Sequence, residues 1–165
     1  MFFKYLSYVL RHKWFVMIEC FHYGLYWRGL KHDMSKLLPT EFFPYMRFFY
    51  GKYAKARRDS TGYYKPNDTG DANFDFAWFK HQKRNDHHWQ WWILPTDGGG
   101  IKALMMPLDA RKEMIADWRG AGRAQGNLGK NGEPEVLTWY TKNKDKLVLH
   151  PATREWVERE IGYTP

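Results

Sequence analysis

His32 and Asp33 form the first pair in this sequence whose residue types suggest metal chemistry. Neutral imidazole and carboxylate groups are both good ligands for divalent transition metals, and one helical turn lets both reach a single cation. Such a dipeptide also arises by chance as a solvated turn, so the pair carries weight only together with further ligands.

A second group of histidines lies in the segment from Asp75 to Leu94. The segment contains neither Gly nor Pro, which predicts one long helix. On such a helix His81 and His88 lie two turns apart and share one face to within about 20°. His87 is rotated away from that face, and we predict it to be a substrate contact. A single histidine here is more readily explained as a hydrogen-bonded core group, but two on one face favour a shared site.

The remaining candidate ligands are His12 and Asp117. His22 competes with His12 for the first-helix position, and His12 is preferred because basic residues on either side of it add positive charge near an anion site. Asp117 lies between apolar neighbours on a predicted helix, where an aspartate needs a partner. Its alternative is a surface carboxylate paired with a neighbouring arginine.

The order of these residues resembles the HD-domain superfamily, whose ligands come from separate helices in the order His, His-Asp, optional additional His, Asp. His32-Asp33-Met34-Ser35-Lys36 is similar to the His-Asp-x-Gly-Lys variant of its binuclear members, with serine in place of glycine. The chain also resembles a group of uncharacterised, mostly viral and bacterial proteins, phage-like in character, in the stretches 30–36 and 113–118. The resemblance implies these metal ligands: His12, His32, Asp33, His81, His88 and Asp117.

The resemblance implies an all-α, HD-domain-like helical bundle that holds one or two divalent ions of Mn, Fe, Co, Ni or Zn. The implied activity is hydrolysis of a nucleotide or related phosphorylated small molecule by metal-activated water, as a phosphomonoester, phosphodiester or nucleoside triphosphate hydrolase. The same ligand order also occurs in di-iron oxygenases of the superfamily, which remain an alternative. The number and identity of the ions and the substrate stay open.

Two residues are predicted to act in catalysis. The mononuclear nucleotidases of the superfamily have a glutamate three residues after His-Asp, where this sequence has Lys36, and we expect Lys36 to contact a phosphate oxygen. Glu41 is similar in position to a second acidic residue of those nucleotidases and is expected to orient or deprotonate the attacking water. Its alternative is an acid in the first turn of a helix. The other predicted phosphate contacts are Lys83, Arg84, Arg119 and Arg123.

These residues need helices to position them, and the 165 residues suffice for a single domain. We predict a core over about residues 2–123 and C-terminal helices over about 134–161, with a polar loop at 57–73 and a small β-hairpin near 96–106. The predicted helices cover residues 2–23, 41–53, 75–94, 107–120, 134–144 and 151–161, and His32 and Asp33 open a brief helical turn in the short segment 30–38.

Composition sets the expected partners and compartment. Twenty-six basic and 18 acidic residues give a net charge of +8, which favours an anionic small molecule, a nucleotide first. Nucleic-acid binding through the Lys52 to Arg58 cluster is possible but disfavoured, because the positive charge is dispersed. The single cysteine, Cys20, excludes an internal disulfide and fits a cytoplasmic protein, in the host cytoplasm if the source is viral. No apolar run is long enough to span a bilayer, so no membrane partner is expected, and the oligomeric state is open.

Overall fold

The computed structural model describes residues 1–52, 69–129 and 135–164. Within these ranges the chain forms seven α-helices and a two-stranded antiparallel sheet, which confirms the predicted mainly helical fold with a small hairpin. The helices are α1 (Phe2–His22), α2 (Tyr26–Lys31), α3 (Pro39–Tyr50), α4 (Ala72–Gln82), α5 (Leu108–Gln125), α6 (Val136–Asn143) and α7 (Pro151–Ile161). The strands are β1 (Ile93–Pro95) and β2 (Ile101–Ala103), with Leu94 opposite Lys102.

Helices α1 and α5 cross at a very short distance. Val16 is buried on the inner face of α1, and Gly120 of α5 lies directly against it. A Cβ atom at Gly120 would lie 2.7 Å from the backbone nitrogen of Val16, so the crossing requires a residue without a side chain. This crossing brings His12 on α1 beside Asp117 on α5.

An aromatic cluster joins α3 to α4. The rings of Phe48 and Phe74 stack with their centroids 3.7 Å apart, and both side chains are buried. The side chain of Asp71 caps α4 by accepting a hydrogen bond from the backbone N–H of Phe74. Because α3 carries Glu41 and α4 carries His81, this cluster fixes two residues of the candidate site relative to each other.

The C-terminal helices form a second core with α5. Met114 and Ile115 of α5 pack in one cluster with Tyr140 of α6 and Val157 of α7. A buried hydrogen bond from the backbone N–H of Met106 to the hydroxyl oxygen of Thr153 connects this core to the segment that follows the hairpin. The C-terminal helices therefore belong to the same packed body as α5.

The prediction of one continuous helix over 75–94 is wrong, because α4 ends at Gln82. The side-chain amide of Asn85 donates to the carbonyl of His81 at 2.8 Å and takes the place of a backbone N–H in the next turn. The indole N–H of Trp92 donates to the carbonyl of Asp86 and holds the chain in a turn. A short 3₁₀ turn follows before β1 begins.

Other predicted boundaries shift by a few residues. Helix α3 begins at Pro39, two residues before the predicted start at Glu41, because proline suits the first turn of a helix. Helix α5 continues past Gly120 until Gly126, whose φ of 77° ends it in the left-handed region. The predicted 57–73 loop up to residue 68 and the predicted helix start at 134 lie outside the described residues. No helix within the described ranges is both long and apolar enough to cross a membrane.

Candidate metal centre

Asp33 lies at the centre of the candidate site. It occupies the junction between α2 and a 3₁₀ turn over Met34–Leu37, and it is 3% exposed. Its φ of 54° is the only positive value at a non-glycine position in the described residues. Aspartate tolerates this conformation better than most residues, and such backbone strain is concentrated at functional sites. The turn directs the two carboxylate oxygens of Asp33 towards two different groups of side chains.

One oxygen of Asp33 faces two histidines and a second aspartate. Oδ2 lies 3.3 Å from Nε2 of His12 and 3.3 Å from Nε2 of His32. Oδ1 of Asp117 closes the group at 3.1 Å from Nε2 of His12 and 3.5 Å from Nε2 of His32. Four residues from α1, the α2 junction and α5 therefore converge on one point.

The other oxygen of Asp33 faces three further histidines. Oδ1 lies 3.3 Å from Nε2 of His81 and 3.6 Å from Nε2 of His87. His88 completes this second group. The two groups therefore share Asp33, which contributes one carboxylate oxygen to each.

The geometry within both groups suits metal ligands. Ligand atoms about 2.05 Å from a tetrahedral ion lie about 3.3 Å from one another, close to the separations seen around Asp33. Although these atoms are close together, they point towards a common centre and make no hydrogen bond within the described part of the chain. Buried polar atoms without partners are strongly disfavoured unless a ligand satisfies them. They are Nε2 of His12, His32, His81, His87 and His88, and Oδ1 of Asp33, whereas Oδ2 of Asp33 is paired with the ammonium group of Lys36.

Two buried glutamates fix the imidazole rings from behind. Oε1 of Glu113 lies 2.9 Å from Nδ1 of His32 and 3.2 Å from Nδ1 of His87. Oε2 of Glu41 lies 3.0 Å from Nδ1 of His81. A carboxylate at Nδ1 sets the tautomer and leaves Nε2 to face the metal, an arrangement common around histidine ligands. Glu113 also forms a candidate group with His32 and His87, but the Nδ1 contacts place it outside the two main groups.

Electrostatics keep the carboxylates ionised. Burial raises the pKa of Asp33, but the charges of its histidine neighbours and of Lys36 hold that pKa well below its ordinary value. Burial also raises the pKa of Asp117 and Glu113, and contacts with the histidines again hold both pKa values below the ordinary range. Burial, together with the two other histidines of its group, lowers the pKa of His88, so its ring stays neutral. Burial lowers the pKa of His32, but the carboxylates of Asp33, Asp117 and Glu113 hold that pKa well above its ordinary value. Because ionised carboxylates and neutral imidazoles are the forms that bind metal, a cation would displace a proton from His32.

The two predicted catalytic residues take different positions. Nζ of Lys36 lies 2.5 Å from Oδ2 of Asp33 and places a positive charge at the edge of the centre. Glu41 is fully buried with both oxygens engaged, Oε2 by Ser35 and His81 and Oε1 by Arg84 at 2.5 Å. Glu41 therefore orients His81, and its position does not support the predicted role as a base.

A cavity of about 520 Å³ opens beside the centre. His87, His88 and Asp117 line it together with Trp118 and Trp139, whose ring centroids lie 5.0 Å apart with the ring planes tilted by 51°. None of the described residues that line the cavity is Lys or Arg. A molecule bound there would contact aromatic surface and reach the metal ligands at the same time.

The predicted phosphate contacts do not line this cavity. The ammonium group of Lys83 donates to the backbone carbonyl of Gln90, and Arg84 binds Glu41 as described above. Arg119 and Arg123 both lie near Glu19, with Nε of Arg123 3.0 Å from its Oε1. Of the predicted Lys52 to Arg58 cluster, only Lys52 lies within the described residues.

Sequence reasoning missed two features of the centre. His87 was predicted as a substrate contact because a continuous helix would turn it away, and the end of α4 at Gln82 removes that argument. Glu113 received no role, although it lies four residues before Asp117 and therefore on the same face of α5. His22, the alternative to His12, is exposed in the last turn of α1 and belongs to neither ligand group.

Residues 1–162 match the model of a family of unknown function, DUF5662, and the chain belongs to that family. No curated protein and no solved structure shows significant similarity to it. The resemblance to the HD-domain superfamily therefore stays a prediction based on the order of the ligands.

Proposed function

We propose that this member of the DUF5662 family is a metal-dependent phosphohydrolase that acts on a nucleotide or a related phosphorylated small molecule. The observation that carries the proposal is the set of buried, unpartnered ligand atoms that surround Asp33 next to a cavity. Burying so many polar atoms without partners would be costly for a purely structural cluster. A pair of cations bridged by a carboxylate suits phosphoryl transfer to water.

Cations at such a centre lower the pKa of water and neutralise charge that develops on the phosphate. In the hydrolysis, the water oxygen bonds to phosphorus and the P–O bond to the organic group breaks. The proton that the water loses balances the one that the leaving oxygen gains. Lys36 holds Oδ2 of Asp33 through its ammonium group, while Glu41 and Glu113 hold the imidazoles in position.

The cavity supports a substrate with one flat ring and few phosphate charges. Its volume of about 520 Å³ is typical of small-molecule sites, and Trp118 and Trp139 offer ring faces for stacking. A triphosphate chain would need basic side chains along its length, and the described lining has none. We therefore expect nucleoside monophosphates or small phosphodiesters to be better substrates than triphosphates.

Metal analysis and phosphate release test the proposal together. We expect gently purified protein to contain a transition metal and to hydrolyse members of a nucleotide panel. Asp33→Asn keeps a residue that tolerates positive φ but removes the bridging charge, so we expect phosphate release to fall by roughly a hundredfold or more. Asp145→Asn, at a side chain that is 91% exposed, is the matched control and should behave like the wild type.

A second pair of variants tests the first-helix ligand. His12→Ala should reduce metal content and activity, whereas His22→Ala removes an exposed imidazole from the same helix and should change neither. Circular dichroism checks that all variants are folded. The proposal is refuted if wild-type protein, supplied with Mn, Fe, Co, Ni or Zn, binds no metal and releases no phosphate from any panel member.

An oxygenase is the second candidate, favoured by the five histidines in the ligand groups and by the absence of basic side chains from the described cavity lining. Histidine-rich sites with carboxylates also bind iron. Turnover under air and under nitrogen separates the two, because hydrolysis needs no oxygen and the oxygenase reaction consumes it. If the activity requires iron and oxygen and releases no phosphate, the protein is an oxygenase and the hydrolase proposal is wrong.

A further inference from the structure

The outer face of α1 carries a stripe of exposed apolar side chains. Phe3, Leu10, Trp14 and Phe21 recur at spacings of seven and four residues, which puts them within an arc of about 40°. Phe3 is 81% exposed and Trp14 57% exposed. The opposite face of the same helix is buried against the protein, so this stripe adds nothing to the core of the described residues.

Helix α2 extends the stripe into a broader surface. The ring of Tyr26 contacts that of Phe21 at 5.2 Å, and Tyr26 and Trp27 are 62% and 66% exposed. We call this the N-terminal surface and define it by Phe3, Leu10, Trp14, Phe21, Tyr26 and Trp27. Contiguous exposed apolar surface of this kind usually marks an interaction site.

The exposed charges that residues 1–52 themselves contribute are positive, although the carboxylates of Glu160 and Asp86 from later elements contact Tyr23 and Arg28. Residues 1–52 contain three acidic residues, Glu19, Asp33 and Glu41, and their exposures are 3%, 3% and 0%. Exposed Lys4 and Lys31 lie on the same two helices as the apolar side chains. This segment therefore offers its surroundings apolar groups and positive charge without exposed carboxylates of its own.

We propose that the N-terminal surface docks on an anionic lipid bilayer. Aromatic side chains favour the interface between lipid and water, and lysines are attracted to acidic headgroups. A second copy of the chain would bring the like charges of the two surfaces together. Nucleic acid is a less suitable partner for this surface. The aliphatic side chain of Leu10 can enter a bilayer, but it has no ring on which a nucleobase could stack. The sequence-based expectation of no membrane partner rests on the lack of an apolar span, and a docking surface needs no such span.

Vesicle sedimentation tests the proposal. We expect the protein to sediment with vesicles of phosphatidylcholine mixed with phosphatidylglycerol, to bind pure phosphatidylcholine much less, and to lose binding as salt is raised. Trp14→Ala and Trp27→Ala should each weaken binding about tenfold, because each removes a large apolar group from the contact. Phe76→Ala and Phe79→Ala, at α4 side chains 58% and 52% exposed, are matched controls that should bind like the wild type.

Charge reversal gives an independent arm. Lys4→Glu and Lys31→Glu should each weaken binding at least about fivefold, whereas Lys142→Glu on α6 should not. Thermal unfolding checks that the variants remain folded. The proposal would be overturned if the protein does not bind the mixed vesicles, or if the tryptophan and lysine variants bind them as well as the wild type does. It would also be overturned if sedimentation velocity shows a dimer, or a complex with an oligonucleotide, that the same variants abolish.

Discussion

Adding one methyl group at Gly120 tests whether the close crossing of α1 and α5 holds the metal centre together. The new Cβ would lie 2.7 Å from the backbone nitrogen of Val16, whereas ordinary contact begins at 3.4 Å, so the helices must separate by about 0.7 Å. Backbone cannot rotate away as a flexible side chain can. Overpacking costs about 1–3 kcal/mol, and the better helix propensity of alanine offsets about 1 kcal/mol of it. Because the contact is with backbone, the overpacking cost should lie near the upper end of that range, and we expect Gly120→Ala to destabilise the protein by about 2 kcal/mol net.

The same separation should reach the ligands. His12 lies one turn before Val16 on α1, Asp117 lies three residues before Gly120 on α5, and their ligand atoms are 3.1 Å apart. Metal–ligand distances tolerate errors of about 0.2 Å, so a shift of about 0.7 Å should weaken metal binding by roughly ten- to a hundredfold. Urea unfolding of the metal-free protein measures the stability, and competition with a chromophoric chelator measures the metal affinity.

Gly98→Ala is the matched control for this experiment. A Cβ there meets no atom within 4 Å and the residue has no positive φ, so its free energy of unfolding should change by less than about 0.5 kcal/mol. If Gly120→Ala unfolds at the same urea concentration as the wild type and binds metal equally well, the argument from the helix crossing is refuted.

Three further perturbations test other parts of the structure. Glu113→Gln keeps the size of the side chain but removes the negative charge next to Nδ1 of His32 and His87. Competition with a chelator should therefore show roughly ten- to hundredfold weaker metal binding. Unchanged metal affinity would contradict the role of Glu113 in orienting the two histidines. Phe74→Ala should lower the free energy of unfolding, measured in urea, by about 3–5 kcal/mol because Phe74 is buried. Phe76→Ala, at an exposed position on the same helix, should lower it by less than about 0.5 kcal/mol. Equal losses of stability would contradict the assignment of the aromatic core. Burial raises the pKa of the Cys20 thiol from 9.0 to about 12, so a thiol reagent at neutral pH should label it only after unfolding. As pH rises above about 9, the thiol ionises in the unfolded chain before it ionises in the folded protein, so the stability that Cys20 contributes should fall. Fast labelling of the native protein would refute the burial of Cys20.

Much of the helical fold was predictable because helix periodicity and end signals are local. Apolar spacing predicted α1, and Pro151 at the start of α7 is a local signal of the same kind. The end of α4 was not predictable in this way, since it depends on the Asn85 side chain reaching the carbonyl of His81. A segment without Gly or Pro is compatible with a helix, and the side-chain hydrogen bonds of Asn85, to the carbonyl of His81 and to the distant Ser35 hydroxyl, decided otherwise.

The sequence by itself determined which residue types were available for a metal site, since imidazoles and carboxylates are recognisable wherever they occur. Only the tertiary structure decided that Asp33 faces two groups, that His87 joins the second group, and that Arg119 turns towards Glu19 instead of the cavity. The physical reason is that a side chain's direction depends on how its helix is rotated and packed. Contacts between residues far apart in sequence, such as that of Val16 with Gly120, fix that packing.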